Sequence, residues 1–309
     1  MFRYNPNRRE LLQAVTTLAA SIALPIPVAT ARTVYEVGHW KIRSISDGNL
    51  VLPVNFLLPD VPSDELAPFL ATHNMSTESF RPECNLTLIE DGEKTVLFDA
   101  GAGTNFMPTA GKLPDQLSEA GIDPASVSDV VFTHGHPDHL WGILDDFDEI
   151  ALPDAQLHFP QVEWDFWRGD DVVSQMSEPR KVFAVGAQTR LTAMEENISL
   201  FKAGAEVLPG IEAVDSAGHT PGHMSFVVHG GNEGVMILGD AITNHAISFQ
   251  KPGWPSGSDQ DPELGIKTRI SLLDRLAGDK MPVIGYHLPN GGAGRVERAD
   301  TAYRFIQDA

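Results

Sequence analysis

Thr133-His134-Gly135-His136-Pro137-Asp138-His139 is the stretch that decides how the rest of the chain is read. Three imidazoles and a carboxylate fall within the six residues from His134 to His139, a composition that no hydrophobic core calls for. Two-residue spacing puts His134 and His136 on one side of an extended segment. Pro137 suits the first position of a helix, so Asp138 and His139 open a helical turn. One short loop thereby presents ligands in two directions, enough to begin two adjacent metal sites. Neutral imidazole nitrogen and carboxylate oxygen suit zinc, and also iron, manganese or cobalt.

Further ligands follow along the chain. Ala217-Gly218-His219-Thr220-Pro221-Gly222-His223 supplies two more histidines. The apolar run Val235-Met236-Ile237-Leu238-Gly239 ends on Asp240, and Val283-Ile284-Gly285-Tyr286 ends on His287. Each run has the form of a buried strand delivering a ligand at its C-terminal end. In order, H-x-H-x-D-H, G-H-T-P-G-H, G-D and a late strand-terminal His resemble the metallo-β-lactamase superfamily. The resemblance covers residues 134–287 and rests on the four motifs together, since any one of the last three is weak alone. It implies an α+β fold: a single-domain, four-layer αββα sandwich with metals at one edge, between two sheets. Carried over residue by residue, it gives His134, His136 and His219 to one metal and Asp138, His139 and His287 to the other. Asp240 would bridge them. The implied cofactor is a pair of divalent ions, zinc first, with manganese, iron or cobalt as alternatives. His223 matches the second histidine of its motif, which the family does not use as a ligand. Its expected part in catalysis is to orient a ligand or a substrate oxygen.

The chain has 309 residues and a formal net charge of −20. No internal repeat and no linker interrupts it, so one domain over residues 32–309 is the simplest account. Its acidity argues against nucleic-acid binding, which needs a basic face, and disfavours polyanionic substrates. A small-molecule substrate is expected instead. With Cys84 the lone cysteine, an intramolecular disulfide is impossible; alternation around it predicts a buried thiol on a strand.

Residues 1–31 read as an address. Arg8 and Arg9 precede a mainly apolar stretch from Ala14 to Leu24, and Ala29-Thr30-Ala31 has the small-x-small form of a cleavage site. The arginine pair resembles a twin-arginine export signal, and the apolar stretch falls short of the roughly 20 residues a membrane span needs. Export by the twin-arginine machinery, cleavage after Ala31 and a periplasmic or secreted mature protein are the expectations.

Along the mature chain, strands are predicted over 40–46, 85–90, 94–99, 129–132, 207–215, 224–229 and 235–238. Helices are predicted over 64–70, 113–120, 139–145, 161–168, 187–197, 262–277 and, closing the chain, 296–306. Asp91-Gly92 marks a hairpin. Asp99-Ala100-Gly101-Ala102-Gly103 resembles the family's D-x-G turn, whose glycines let backbone pass close to the metal loop. The proline-rich segment 53–82 reads as a long irregular loop, a length often used for lids.

A dinuclear centre with a shared, bridging hydroxide would make a nucleophile at neutral pH, because metal coordination lowers the pKa of water from about 16 to about 7. The expected reaction is hydrolysis of a lactone, ester or phosphotriester, with Asp138 both a ligand and the holder of the hydroxide's proton. Within the superfamily, only 22 residues follow His287, too few for the glutathione-binding helices of glyoxalase II types. The class B3-like β-lactamases lack the carboxylate at Asp240, and an iron-dependent oxidoreductase of the same fold is the other alternative. The methyl parathion hydrolase and quorum-quenching lactonase group is the nearest resemblance. It implies an aromatic-lined pocket, with Phe106, Trp164, Trp167 and Phe183 as candidates and His245 as a hydrogen-bonding group. Thr243 stands where the lactonases often place a tyrosine. A homodimer is a further expectation from that group.

Overall fold

Period-two alternation of apolar side chains organises the protein, and a computed structural model describes residues 32–308 of it. The expected export signal lies outside those residues. In chain order the strands are β1 (Arg32–Val37), β2 (Trp40–Asn49), β3 (Leu52–Pro53), β4 (Ser79–Phe80), β5 (Glu83–Glu90), β6 (Thr95–Phe98), β7 (Asp129–Val131), β8 (Gln156–Pro160), β9 (Ile198–Phe201), β10 (Glu206–Leu208), β11 (Ile211–Asp215), β12 (Met224–Gly230), β13 (Glu233–Ile237), β14 (Val283–Ile284), β15 (Ala293–Ala299) and β16 (Ala302–Gln307). The α-helices are α1 (Val54–Leu57), α2 (Ser63–Thr72), α3 (Leu113–Glu119), α4 (Pro137–Leu140), α5 (Gln161–Trp167), α6 (Val172–Gln175), α7 (Lys181–Met194), α8 (Ile247–Gln250) and α9 (Pro262–Asp279).

Two seven-stranded sheets result, ordered β1-β2-β5-β6-β7-β8-β9 and β10-β11-β12-β13-β14-β15-β16. Their central strands are buried on both faces, so successive residues enter different apolar layers. Leu97, Val130 and Phe132 face the helices of the first sheet. Val96, Phe98 and Val131, one residue out of phase, meet Phe226, Val228, Val235 and Ile237 between the sheets. Val227, Met236 and Val283 turn the other way, onto Leu272, Leu273 and Leu276 of α9. Three stacked apolar layers make the αββα sandwich expected from the motifs. No helix among the described residues is long and apolar enough to cross a membrane.

Several elements differ from expectation. The predicted closing helix over 296–306 is the hairpin β15–β16, with Val296 opposite Phe305. Its Val296 and Tyr303 pack on the α9 layer, a tertiary contact that overrides a sequence period compatible with either element. The strand predicted over 207–215 is two, β10 and β11, parted at Pro209-Gly210. Helix α4 lasts one turn and passes into a 3-10 turn at Trp141–Ile143 instead of running to residue 145. The sequence reading does not include β8 and β9, which are short and defined by parallel pairing to strands distant in the chain. The segment over 53–82 is less irregular than its prolines suggest. It holds α1, α2 and the β3–β4 pair around a small core of its own, which reaches Ile247 of α8.

Candidate metal centre

Strand β7 runs into Phe132, and the chain then leaves the sheet through Thr133–His136 into α4. The backbone of Thr133 is held from both sides: its N–H donates to Asp99 Oδ1 at 2.7 Å, and its carbonyl accepts from Met224 N at 3.0 Å. That second bond joins the metal loop of the first sheet to the start of β12 in the second. The ligand-bearing segments of both sheets therefore meet at one edge of the sandwich.

His134, His136 and His219 each place a ligand atom within 4.8 Å of the other two, and so do Asp138, His139, Asp240 and His287 among themselves. All are buried except His136, which is half-buried. Asp240 touches both groups. Its Oδ1 lies 3.2 Å from His139 Nε2, and its Oδ2 lies 3.3 Å from His219 Nε2 and 3.3 Å from His287 Nε2.

Outer partners fix which ring nitrogen faces inward. His139 Nδ1 lies 2.8 Å from Asp99 Oδ2, and His219 Nδ1 lies 3.1 Å from Asp259 Oδ1. His287 Nδ1 donates to the Glu83 carbonyl at 2.7 Å. Thr133 Oγ1 donates to Asp99 and accepts from His134 Nδ1 at 3.0 Å. In all four rings Nε2 is left for the interior. Four buried atoms of these residues, His134 Nε2, Asp138 Oδ2, His139 Nε2 and Asp240 Oδ1, have no hydrogen-bond partner among the described residues. Buried polar atoms are rarely left so, and a cation at each cluster would satisfy them. The His and Asp donor set thus fits two divalent metals.

The electrostatics point the same way. Burial, reinforced by neighbouring imidazoles, holds His134 and His136 well below the ordinary histidine value, as neutral ligands must be. Burial would lower His139 and His287 too, but the Asp240 and Asp138 carboxylates outweigh it and push both well up. Those carboxylates in turn sit well below their usual range, against burial, because of the same histidines. Carboxylates packed this closely favour whatever positive charge is at hand.

One cavity of about 290 Å³ opens onto both clusters, with His136, Asp138, His219, Asp240 and His287 in its lining. Its walls are mainly apolar, among them Leu52, Phe56, Phe80, Phe106, Phe183 and Trp254. Phe106 and Phe183 are where the sequence placed them. Trp164, Trp167 and His245 are not in the lining. Trp167 is fully buried behind His136 and donates its indole N–H to Glu163 at 2.6 Å. Trp164 is covered by the Arg168 guanidinium, 4.7 Å from its ring. His245 points to solvent, and its neighbours Thr243 and Asn244 line the cavity instead. His223 is also outside the lining. Its Nδ1 lies 2.8 Å from Ser216 Oγ, its Nε2 accepts the Asp240 N–H at 2.8 Å, and burial beside His219 lowers its pKa to about 3. It is a neutral peg for the backbone of Asp240.

Motif reasoning missed three carboxylates. Asp259 backs His219 and is bound in turn by Arg269 at 2.9 Å. Glu163 on α5 accepts from the loops on either side of it. Asp47 accepts from the N–H groups of Ala102, Gly111 and Leu113 at 2.8, 3.1 and 2.7 Å, organising the loop that carries Phe106. None of the three left a trace in the sequence, because each is joined to the loops it holds only through tertiary contacts.

Comparison with known proteins gives a consistent result. The family model described as Metallo-beta-lactamase superfamily matches residues 81–280. Metallo-beta-lactamase domain-containing protein 1 of Xenopus laevis is 29% identical over 202 residues, 63% of this chain and 67% of that protein. Among solved structures, AidC, a dizinc quorum-quenching lactonase in complex with a product, superposes with a TM-score of 0.85 at 23% identity, over 91% of this chain and 98% of that one. The hydrolase AbOPH of the beta lactamase superfamily gives 0.83 at 24% identity over the same shares. At such identities these structures speak to the fold alone.

Proposed function

Because this chain belongs to the metallo-beta-lactamase superfamily, we propose that it is a dinuclear metal-dependent hydrolase of lactones, esters or phosphotriesters with an apolar tail. The observation that carries this is the single cavity shared by both ligand clusters, with a polar floor and walls that are mostly hydrocarbon. His134, His136 and His219 would hold one metal, Asp138, His139 and His287 would hold the other, and Asp240, which touches both groups, would serve both. When bound, the two ions supply Lewis acidity and make coordinated water acidic enough to react near neutral pH.

The remaining work falls to the chain. Asp138, a carboxylate in the cavity lining, would be both a ligand and the group that accepts the proton of the attacking water. Phe106 and Phe183, whose ring centroids lie 5.9 Å apart, hold the apolar part of the substrate and exclude water from it. Arg180 lines the same cavity with no carboxylate within 4.0 Å among the described residues. Its guanidinium donates to the Gly257 carbonyl and has further N–H groups for a substrate oxygen. Lactonase activity belongs, by their descriptions, to several of the structures that share this fold, which favours lactones for the first trial.

The deciding experiment compares kcat/KM for a long-chain acyl-homoserine lactone and an aryl phosphotriester, using zinc-loaded protein beside an EDTA-treated control. A large lactone preference makes this a lactonase, and the reverse makes it a phosphotriesterase. Failure on both by fully loaded protein discards the substrate class. We also propose that residues 1–31 direct export to the periplasm; the exported protein should then begin at or near Arg32 on N-terminal sequencing, and recovery of the full-length chain in the cytosol would refute it.

A further inference from the structure

Glu163 is wholly buried, yet no Lys, Arg or His lies within 4.0 Å of its carboxylate among the described residues. A buried carboxylate without a cation is costly unless hydrogen bonds satisfy it. Here the donors are the N–H of Gly135 at 2.9 Å and the Trp167 indole at 2.6 Å on Oε2, and the N–H of Gly222 at 2.8 Å on Oε1. Gly135 lies between His134 and His136, and Gly222 lies between His219 and His223. One carboxylate therefore joins the two loops that carry the three histidines of one cluster. Both glycines are pressed against the same helix. A Cβ on Gly135 would come within 2.3 Å of Trp167 Nε1, and one on Gly222 within 2.5 Å of Glu163 N. The loops can approach α5 closely enough to share the carboxylate only because neither has a side chain there.

We propose that Glu163 is a positioning residue for the His134/His136/His219 site: it sets the separation of the two ligand loops, and so the affinity of that site for its metal, without touching metal or substrate. The proposal rests on the metal-centre assignment above. The second cluster is built differently. Asp138 and His139 stand on α4, Asp240 follows β13 and His287 follows β14, and none of these elements is bonded to Glu163. Replacing the carboxylate by an amide of the same shape leaves one acceptor and turns an NH2 toward a loop N–H, so one loop must let go.

The test measures zinc affinity by competition with a graded chelator, reading metal per chain by mass spectrometry, for wild type, Glu163→Gln, His134→Ala and the double variant. Glu163→Gln should keep one ion at wild-type affinity while the other weakens roughly 10- to 100-fold, the usual span for outer partners of metal ligands. In the double variant the remaining ion should bind as it does in His134→Ala alone, because the site through which Glu163 acts is already gone. Parallel weakening of both ions, additivity in the double variant, or unchanged binding in Glu163→Gln would each overturn the clamp while leaving the metal centre standing. Wild type that takes up no zinc would overturn both. Should Glu163→Gln fail to fold, Glu163→Asp, one methylene too short to span both loops, is read in the same way.

Discussion

Asp240 is the side chain on which the two clusters most depend, since its two oxygens reach histidines of both. Asp240→Asn should lower bound zinc from two ions per chain to one or fewer, and cut kcat/KM by about a thousandfold, some 4 kcal/mol of transition-state stabilisation. Metal analysis and steady-state kinetics on the same preparation check it; two retained ions with near-normal turnover would remove Asp240 from the centre. Asp259 makes a contrasting case. It touches no cluster atom except through His219 Nδ1, so Asp259→Asn should weaken zinc roughly 10- to 100-fold and yet recover most of its kcat at saturating zinc. These two aspartates were not equally legible. Asp240 closes an apolar run, whereas Asp259 sits in a loop 40 residues from its histidine, and no spacing rule joins such a pair.

Two segments that connect strands of the first sheet shape much of the cavity. The loop after β6 carries Phe106 and Met107 into the wall and is pinned by Asp47, a buried acceptor of three of its N–H groups. Asp47→Asn should loosen that wall, raising KM for long-tailed substrates by roughly 10-fold, worth about 1.4 kcal/mol, with kcat nearly kept. Equal loss for short and long tails would argue against the assignment. The segment carrying α1 and α2 supplies Phe56, Leu57 and Leu58 to the opposite wall. Helix α9 reaches the cavity through Arg269, but its Leu273 is fully buried against the second sheet, outside the cavity lining. Leu273→Ala should lower stability by about 2–5 kcal/mol in urea unfolding while zinc affinity holds. The mistaken closing helix belongs here too. The segment holding Val296 and Tyr303 is amphipathic on either period, and only its pairing beside β14 makes it a hairpin.

For the molecule as a whole, metal binding and folding are coupled, because ligands on both sheets meet only in the native state. Stripping zinc should therefore abolish hydrolysis and lower Tm together, and restoring it should return both; a Tm indifferent to zinc would mean that the metals contribute nothing to holding the sheets in register. The residues that cluster and the family were legible in the sequence because they rest on local chemistry, and the αββα layering followed from the resemblance those motifs carry. Coordination demands particular residue types at particular spacings, and a two-sided buried strand demands an apolar run. The cavity was not legible in the same way. Phe106 and Phe183 face it while Trp164 and Trp167 do not, although all four are aromatic residues in apolar surroundings. A hydrocarbon side chain has the same chemistry in a wall as in a core. Which it becomes is decided by packing between segments distant in sequence, so the sequence determined which donor groups this protein has to bring together, and the tertiary structure alone decided the shape of the space they face.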